Sequence, residues 1–596
     1  MSRKQGRVHV VRVRKTHVDT QGGRREYVSV YLRRTYRDGT AVRNETVANL
    51  SMLPTEAVDA IEATLKGKRL IPAEEAFAIT RSLPHGHVAA VAAMARKLGL
   101  PALLGPAGRK RDIALALIVS RVLRPGSKLS TLAWWPDTTL GVDLGVAGAC
   151  TDEVYAAMDW LADRQEAIER KLAAKHLAPD VNPARMALFD LTSAWVTGRC
   201  CELAARGYSR DGKKGCEQIE YGVLTDPAGR PVAVRVFPGN TADPDAFTEI
   251  VTAIRDTLGI ARLVLVGDRG MITSARIEAL RKLNDNPDTA TDFGWITALR
   301  APAIAKLAAD DGPLQMSLFD TQDLAEISHP DYPGERLIAC RNPALAAERA
   351  RKRSELLAAT DKLLAGVADR VTRRTLAGAH KIGIAVGKAI GKYKMGKHFH
   401  ITITDTAITY HRNTAGIDAE AALDGIYVLR TSLPEQTLER DDVVLRYKGL
   451  EDVERFFRTL NSELDVRPIR HRLADRVRAH MFLRMLSYYI SWHLKQALAP
   501  ILFVDNDKPA AAATRANPVA AAQRSDEALA KAARKRTTDN TPVHSFPSLL
   551  ADLATVCANQ VQPTNDMPAF TLITSPTPLQ QHAFELLGIS HRLGYM

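Results

Sequence analysis

Apolar and polar residues change period several times along the chain, and each change marks a candidate boundary. Residues 1–53 alternate apolar with basic side chains (VHVVRVRK, YVSVYLRRTY), broken by Gly22-Gly23 and Asp38-Gly39. A period of two with such turn signals predicts small antiparallel strands with one arginine-rich face. From Pro54 the period lengthens. HVAAVAAMARKLGL from His87, RDIALALIVSRVL from Arg111 and the amphipathic stretch 153–176 predict a helical N-terminal domain over 54–182.

The character changes again near Pro183. RMALFDLTSAWV from Arg185 is an apolar run rich in strand formers, and CEQIEYGVLTD and PVAVRVFPGN are two more, joined by the turn Asp226-Pro227-Ala228-Gly229. A helix (DAFTEIVTAIRDTLG), a strand ending at Asp268 (RLVLVGDRGM), a helix (SARIEALRKL) and a strand (GWITALR) follow. Three antiparallel strands, then helix, strand, helix, strand, is the order of an RNase H-like core over 183–300. Residues 301–440 interrupt it with a short strand (ERLIAC), a basic helical region, KHFHITITDTAITY and GIYVLRTS. Helical period returns over 441–500. Residues 501–545 are Ala/Pro-rich and basic, as in a loose linker, and 546–596 form a C-terminal segment. The fold class expected is therefore α/β (α+β): an RNase H-like mixed sheet with a large insertion, plus a helical N-terminal region carrying a small β element.

The clearest amphipathic stripe lies in LRYKGLEDVERFFRTLNSELDVRPIRH, residues 445–471, where Val453, Phe457, Leu460 and Leu464 recur at steps of four and three. At about 100° per residue, Tyr447, Glu454 and Asn461 return to nearly one face, with Leu450 and Arg458 a turn to either side of Glu454. Alone, this is also the pattern of a charged surface helix. Two aspartates change the picture. Asp190 lies inside an apolar strand and Asp268 at the carboxyl end of another. A buried lone carboxylate costs several kcal/mol unless it is paired, hydrogen-bonded or bound to a cation. Gathered with a helix carboxylate, the two would repel by roughly 4 kcal/mol per pair at about 4 Å. Mg²⁺ or Mn²⁺ removes that repulsion, and two such ions suit in-line phosphoryl transfer.

Charge points the same way. The 596 residues carry a formal net charge of +14, which favours a polyanionic partner, nucleic acid first. The insertion is densely basic, with Arg373, Arg374, Lys388, Lys392, Lys394 and Lys397 among its cations and few acids between them. No run of about 18 uncharged apolar residues occurs, so no membrane span is expected. The N-terminus lacks the apolar core of a secretory signal, and the six cysteines show no CxxC pair; both fit a reducing cytoplasm. GIAVGKAIGK at Gly383 is one residue short of a phosphate-binding loop and has Ala389 where Ser or Thr would reach Mg²⁺, so it is not read as a nucleotide site.

FDLTS at Asp190, GYSRDGKKGCEQIEYGVLTDPAGRPVAVRVFPGN from Gly207, LVGDRGM at Asp268, DGIYVLRT from Asp424 and YKGLEDVERFFRTLNSELDVRPIRHR from Tyr447 together resemble a DDE transposase of a bacterial insertion sequence. The likeness is to the subgroup with a long insertion before the catalytic Glu. It covers about residues 185–490 and is weaker in the N-terminal part. It implies that Asp190, Asp268 and Glu454 form a metal-binding catalytic triad, that Tyr447 sits near the DNA backbone, and that two Mg²⁺ or Mn²⁺ ions serve as cofactors. It also implies double-stranded DNA as substrate, both element ends and target, paired within a homodimer, and a DNA-end-binding role for residues 54–182. Leu450 and Asn461 stand where the family signature has arginine and lysine, so Lys448 and Arg458 are the candidate replacements for phosphate contact. Glu451, one turn before Glu454, is the rival third ligand. The function expected is DNA strand cleavage at element ends and transfer of the 3′-hydroxyl into target DNA. The alternatives are an RNase H-like nuclease or integrase without transposition, and an inactive DNA-binding regulator of the same fold.

Overall fold

The computed structural model describes residues 6–18, 24–68, 70, 73–178, 185–210, 212–213, 215–241, 243–287, 290–309, 311–507, 511, 515, 517–521, 523–564 and 567–590. The chain divides into two compact units, residues 1–82 with 558–574, and residues 83–557 with 575–596. In the smaller unit, the predicted alternation becomes an antiparallel meander of β1 (Arg7–Val18), β2 (Arg24–Asp38) and β3 (Ala41–Asn49). Its β2–β3 turn needs Gly39 at φ +62°, a conformation open to glycine; the Gly22-Gly23 turn lies outside the described residues. Helix Thr55–Leu65 sets Asp59 and Glu62 against Arg12 of β1. β4 (Phe77–Pro84) opens a second sheet, completed by Cys557–Pro563 and Phe570–Ile573 from the far end of the chain.

The larger unit is built on one mixed sheet. Its RNase H-like part comprises β5 (Met186–Trp195), β6 (Gln218–Thr225), β7 (Pro231–Pro238), β8 (Arg262–Val266) and β9 (Asp292–Ala298), in the order β7-β6-β5-β8-β9. β5, β8 and β9 run parallel, while β6 is antiparallel to both neighbours, with Asp190 opposite Val223. Every residue of β6 is buried, as expected for a strand covered on both faces. Gly222 is required there: a Cβ would come within 2.6 Å of the Phe189 ring and 2.7 Å of Leu191. The β6–β7 turn forms where expected, with Asp226 Oδ1 accepting from the Ala228 and Arg230 amides and Gly229 at φ +80°.

The insertion does more than interrupt this sheet; it extends it. β10 (Leu324–Ile327), β11 (Arg336–Arg341) and β14 (Ile426–Thr431) add antiparallel strands outward from β9, giving the order β10-β11-β14-β9. Ile338, Cys340, Val428 and Leu429 are all fully buried, which explains why these strands join a core. Between β11 and β14 the chain leaves as a separate subdomain. Helices Pro343–Thr372 and Ala379–Tyr393 pack with a hairpin of β12 (Phe399–Ile403) and β13 (Ile408–Arg412) around Leu364, Val367, Ile382 and Val386. The segment GIAVGKAIGK lies inside helix Ala379–Tyr393, not in a phosphate-cradling loop.

Helix Ala474–Ala497 runs through the centre of the helical region, buried almost throughout residues 479–491. It packs on β7 and on helices Arg109–Leu123 and Thr151–Ala162. Ser487 donates to the Ile118 carbonyl at 3.0 Å, and Tyr489 meets His176 Nε2 at 2.9 Å. Burial first, then the charges of Arg230, Lys175 and His493, hold His176 down to about 3. The unfolded chain therefore takes up a proton below about pH 6.5 that the fold refuses, and stability falls as pH drops through that value. His176→Phe is expected to flatten the decline between pH 6.5 and 4.5 by roughly 1 kcal/mol per pH unit, read from urea melts at each pH; a slope unchanged from the parent would contradict this.

Within 501–545, expected as a linker, the described residues include helix Asp526–Arg534, capped by Ser525 and anchored by Lys531, whose ammonium meets the Ala499 and Val504 carbonyls. No helix among the described residues is long and apolar enough to cross a membrane.

Candidate active site

Three elements deliver the three carboxylates to one region of the sheet. Asp190 is the fifth residue of β5, half-buried, with Oδ1 accepting the Leu191 amide at 2.8 Å. Asp268 follows β8, where its Oδ1 accepts the amides of Gly270 (2.8 Å) and Met271 (2.7 Å). That turn fixes the carboxylate and leaves Oδ2 without a hydrogen-bond partner among the described residues. Glu454 stands on the exposed face of helix Leu450–Ser462. The opposite face buries Val453, Phe456, Phe457 and Leu460 on β5, with the Phe457 ring edge-on to Tyr221 at 5.6 Å. The predicted stripe forms. The helix is not continuous with Tyr447, however: Gly449 separates it from helix Arg440–Lys448, where a Cβ would lie 3.2 Å from Leu188 of β5.

Despite that break, the charges of Asp268 and Glu454 reach both Asp190 and Tyr447. Burial pushes the Asp190 carboxyl up to about 7, with the charges of Asp268 and Glu454 acting in the same direction and the Leu191 amide and Arg210 acting against them. Tyr447 is pushed up to about 12 by burial, with Asp268, Asp190 and Glu454 adding to the rise and Arg269 opposing it. Asp190 and Tyr447 therefore both lie within the fields of Asp268 and Glu454. Glu451 points elsewhere, 4.0 Å from Arg455.

Two open pockets flank the group. One, of about 400 Å³, is lined by Asp268, Arg269, Gly270, Arg300 and Ala301. The other, also about 400 Å³, is lined by Arg206, Gly207, Tyr208, Arg210, Glu220, Asn240 and Thr241. Arg210, Arg269 and Arg300 thus bring positive charge to a carboxylate site, which is where an anionic substrate would be neutralised. Sequence reading missed all three. Their signal was adjacency: Arg269 directly follows Asp268, and Arg210 lies in the GYSRDGKKG stretch.

The other candidate basic residues have distinct surroundings. Lys448 donates all three protons to the Pro518, Val519 and Ala520 carbonyls at 2.6, 2.7 and 2.8 Å, so its ammonium anchors that segment. Arg458 is exposed and has no ion pair among the described residues. Arg373, Arg374, Lys388, Lys392, Lys394 and Lys397 are exposed on the insertion subdomain; Arg373 pairs with Asp369 and Lys397 with Glu420. Residues 370–404 contain eight Lys and Arg and no Asp or Glu, so pairing inside the segment cannot neutralise it.

The donor set at the carboxylates is oxygen alone, with Asp190 raised first by burial and further by the charges of Asp268 and Glu454, and this chemistry fits a hard divalent cation. As the side chains stand, no three His, Cys, Asp or Glu residues among those described are close enough to enclose an ion.

Two family models match the chain. One, described as "Transposase DDE domain", covers residues 187–490, and the other, "IS1634 family transposase, N-terminal domain", covers residues 13–75. No curated protein matches it. The first match spans just over half of the 596 residues and takes in Asp190, Asp268, Tyr447 and Glu454. With the strand order of an RNase H-like sheet beneath those residues, the chain belongs to the DDE transposases of insertion sequences, enzymes that act on DNA.

Proposed function

We propose that Asp190, Asp268 and Glu454 are the catalytic carboxylates of this transposase and that they hold Mg²⁺ or Mn²⁺, two ions in the working complex. The observation that supports this reading is the action of the Asp268 and Glu454 charges on the Asp190 carboxyl, felt also by Tyr447. Bound divalent ions supply Lewis acidity at the scissile phosphate and lower the pKa of the attacking hydroxyl. The chain's own groups do the positioning. Asp268, locked by two backbone amides, and Glu454, on a helix, present oxygens from fixed backbone positions. The Tyr447 hydroxyl stays protonated at working pH and can donate to a phosphate oxygen. Arg210, Arg269 and Arg300 offset the charge of the bound strand.

In the first reaction a water oxygen bonds to the scissile phosphorus and the P–O3′ bond breaks, leaving a 3′-hydroxyl and a 5′-phosphate. In the second, that 3′-hydroxyl bonds to a target phosphorus and displaces the target's own 3′-oxygen. The protein would act as a homodimer pairing two element ends, in the cytoplasm of its host. Linear DNA ending in the element's terminal sequence, incubated with Mg²⁺ and a supercoiled target, tests the two steps together. Nicked and joined products are expected. Nicking with no joined product would favour the nuclease reading, and end binding with neither product the inactive regulator.

Arg373, Arg374, Lys388, Lys392, Lys394 and Lys397, with Arg458 nearer the carboxylates, are the proposed contacts to DNA phosphates. Replacing Lys388, Lys392 and Lys394 together by Gln is expected to reduce the slope of log affinity against log salt by about 2–3, since each phosphate contact contributes roughly 0.9. Fluorescence anisotropy with a duplex probe checks this, and an unchanged slope would remove those lysines from the interface.

A further inference from the structure

Away from the carboxylates, a second charged group is buried between the N-terminal helices and the core. Arg121, Lys128, His480 and Arg484 are each only 3 to 6 % exposed. Arg121 comes from helix Arg109–Leu123, Lys128 opens helix Lys128–Trp134, and His480 and Arg484 belong to helix Ala474–Ala497. His471 joins them from the stretch that follows the Glu454 helix.

Their polar atoms converge on a single acceptor. His480 Nδ1 lies 2.5 Å from Lys128 Nζ, 2.9 Å from Arg484 Nη1 and 3.1 Å from His471 Nε2. His480 Nε2 faces the Val466 carbonyl at 3.2 Å, which places the proton on Nε2 and the lone pair on Nδ1. One lone pair cannot satisfy the lysine and the arginine together. Three further N–H groups, Arg121 Nε and Nη1 and Arg484 Nε, are buried with no hydrogen-bond partner among the described residues. No carboxylate pairs with Arg121, Lys128 or Arg484 among the described residues. Asp465, whose charge acts on both arginines, is itself exposed and gives Arg484 only its backbone carbonyl, at 2.8 Å. Burial and mutual repulsion accordingly hold Lys128, His480 and Arg484 well below their ordinary values. Clustered buried cations with surplus donors are strongly unfavourable without a counter-charge, and native proteins rarely leave such donors unmet.

We propose that Arg121, Lys128, His471, His480 and Arg484 form a binding site for one tetrahedral oxyanion, phosphate or sulfate. Such an ion offers several lone pairs to donors that now compete for one. Near-complete burial of the cluster favours a free ion over a phosphate of the DNA backbone. Bound there, the ion ties the N-terminal helices to the stretch that follows the Glu454 helix. The site does not depend on the catalytic roles proposed above.

Calorimetric titration of the full-length protein with inorganic phosphate, at constant ionic strength in chloride, tests it. Saturable uptake of a single ion per chain is expected, with a rise in melting temperature of about 1–3 °C at saturation. Arg121→Met and Lys128→Met are each expected to weaken phosphate at least about tenfold. Should those variants fail to fold, equilibrium dialysis of the parent protein decides alone, and an absence of saturable phosphate uptake overturns the proposal. Repeating the titration with saturating duplex DNA separates the sources: unchanged phosphate affinity supports a free ion, and loss of it overturns that assignment in favour of a backbone phosphate.

Discussion

Replacing Glu454 by Gln is expected to slow Mg²⁺-dependent cleavage of an element end by about 10³-fold or more, with little change in affinity for the same DNA. Gln preserves the shape of the side chain and its place on the exposed face of helix Leu450–Ser462, so the fold is not at issue. What it removes is one of the two carboxylate charges that act on Asp190. Glu451→Gln serves as the control. Glu451 sits one turn away beside Arg455, and its loss is expected to change the rate by less than about threefold, the effect of an exposed ion pair. Single-turnover cleavage of a labelled duplex measures both. Equal losses in the two variants would reopen the choice of third carboxylate.

Glu335→Ala is expected to destabilise the protein by about 3–5 kcal/mol, the cost of breaking a buried ion pair by removing one partner. The Glu335 side chain is fully buried just before β11. It accepts from Arg430 of β14 at 2.5 and 2.6 Å, from Arg281 at 2.8 Å, and from the Trp295 indole of β9 at 3.3 Å. Arg430 in turn reaches Ser274 and stacks over Tyr332. One carboxylate thus pins the strands that the insertion adds to strands and helices of the RNase H-like part. Its loss leaves Arg430 buried beside Arg281 with no counter-charge. Urea denaturation is the readout, and a loss below about 1 kcal/mol would show that apolar packing alone holds the extension in place.

Local pattern carried much of this molecule. Period-two alternation marked β1 to β3, and apolar runs rich in strand formers marked β5 to β9, because each is decided by residues near in sequence. The stripe of Val453, Phe457, Leu460 and Leu464 told which face of the Glu454 helix would be buried, and hence that Glu454 would be exposed. Long-range pairing was not legible. The three strands that extend the sheet depend on registers such as Arg336 opposite Thr431, 95 residues apart, which no periodicity encodes. Lys448 shows the same limit: as a cation beside the Glu454 helix it read as a phosphate contact, yet its donors meet carbonyls about 70 residues downstream. Family resemblance supplied the triad, but the arginines that complete its surroundings come from loops after β5 and β8 and before helix Ala301–Leu307.

The central claim, that Asp190, Asp268 and Glu454 act as one divalent-ion site, is tested most directly by Mn²⁺ binding in the presence of duplex DNA, followed by electron paramagnetic resonance. The parent protein is expected to bind Mn²⁺ saturably, with affinity at least about tenfold weaker in each of Asp190→Asn, Asp268→Asn and Glu454→Gln, and unchanged in Glu451→Gln. Mn²⁺ binding of equal strength in the parent and all three carboxamide variants would contradict it.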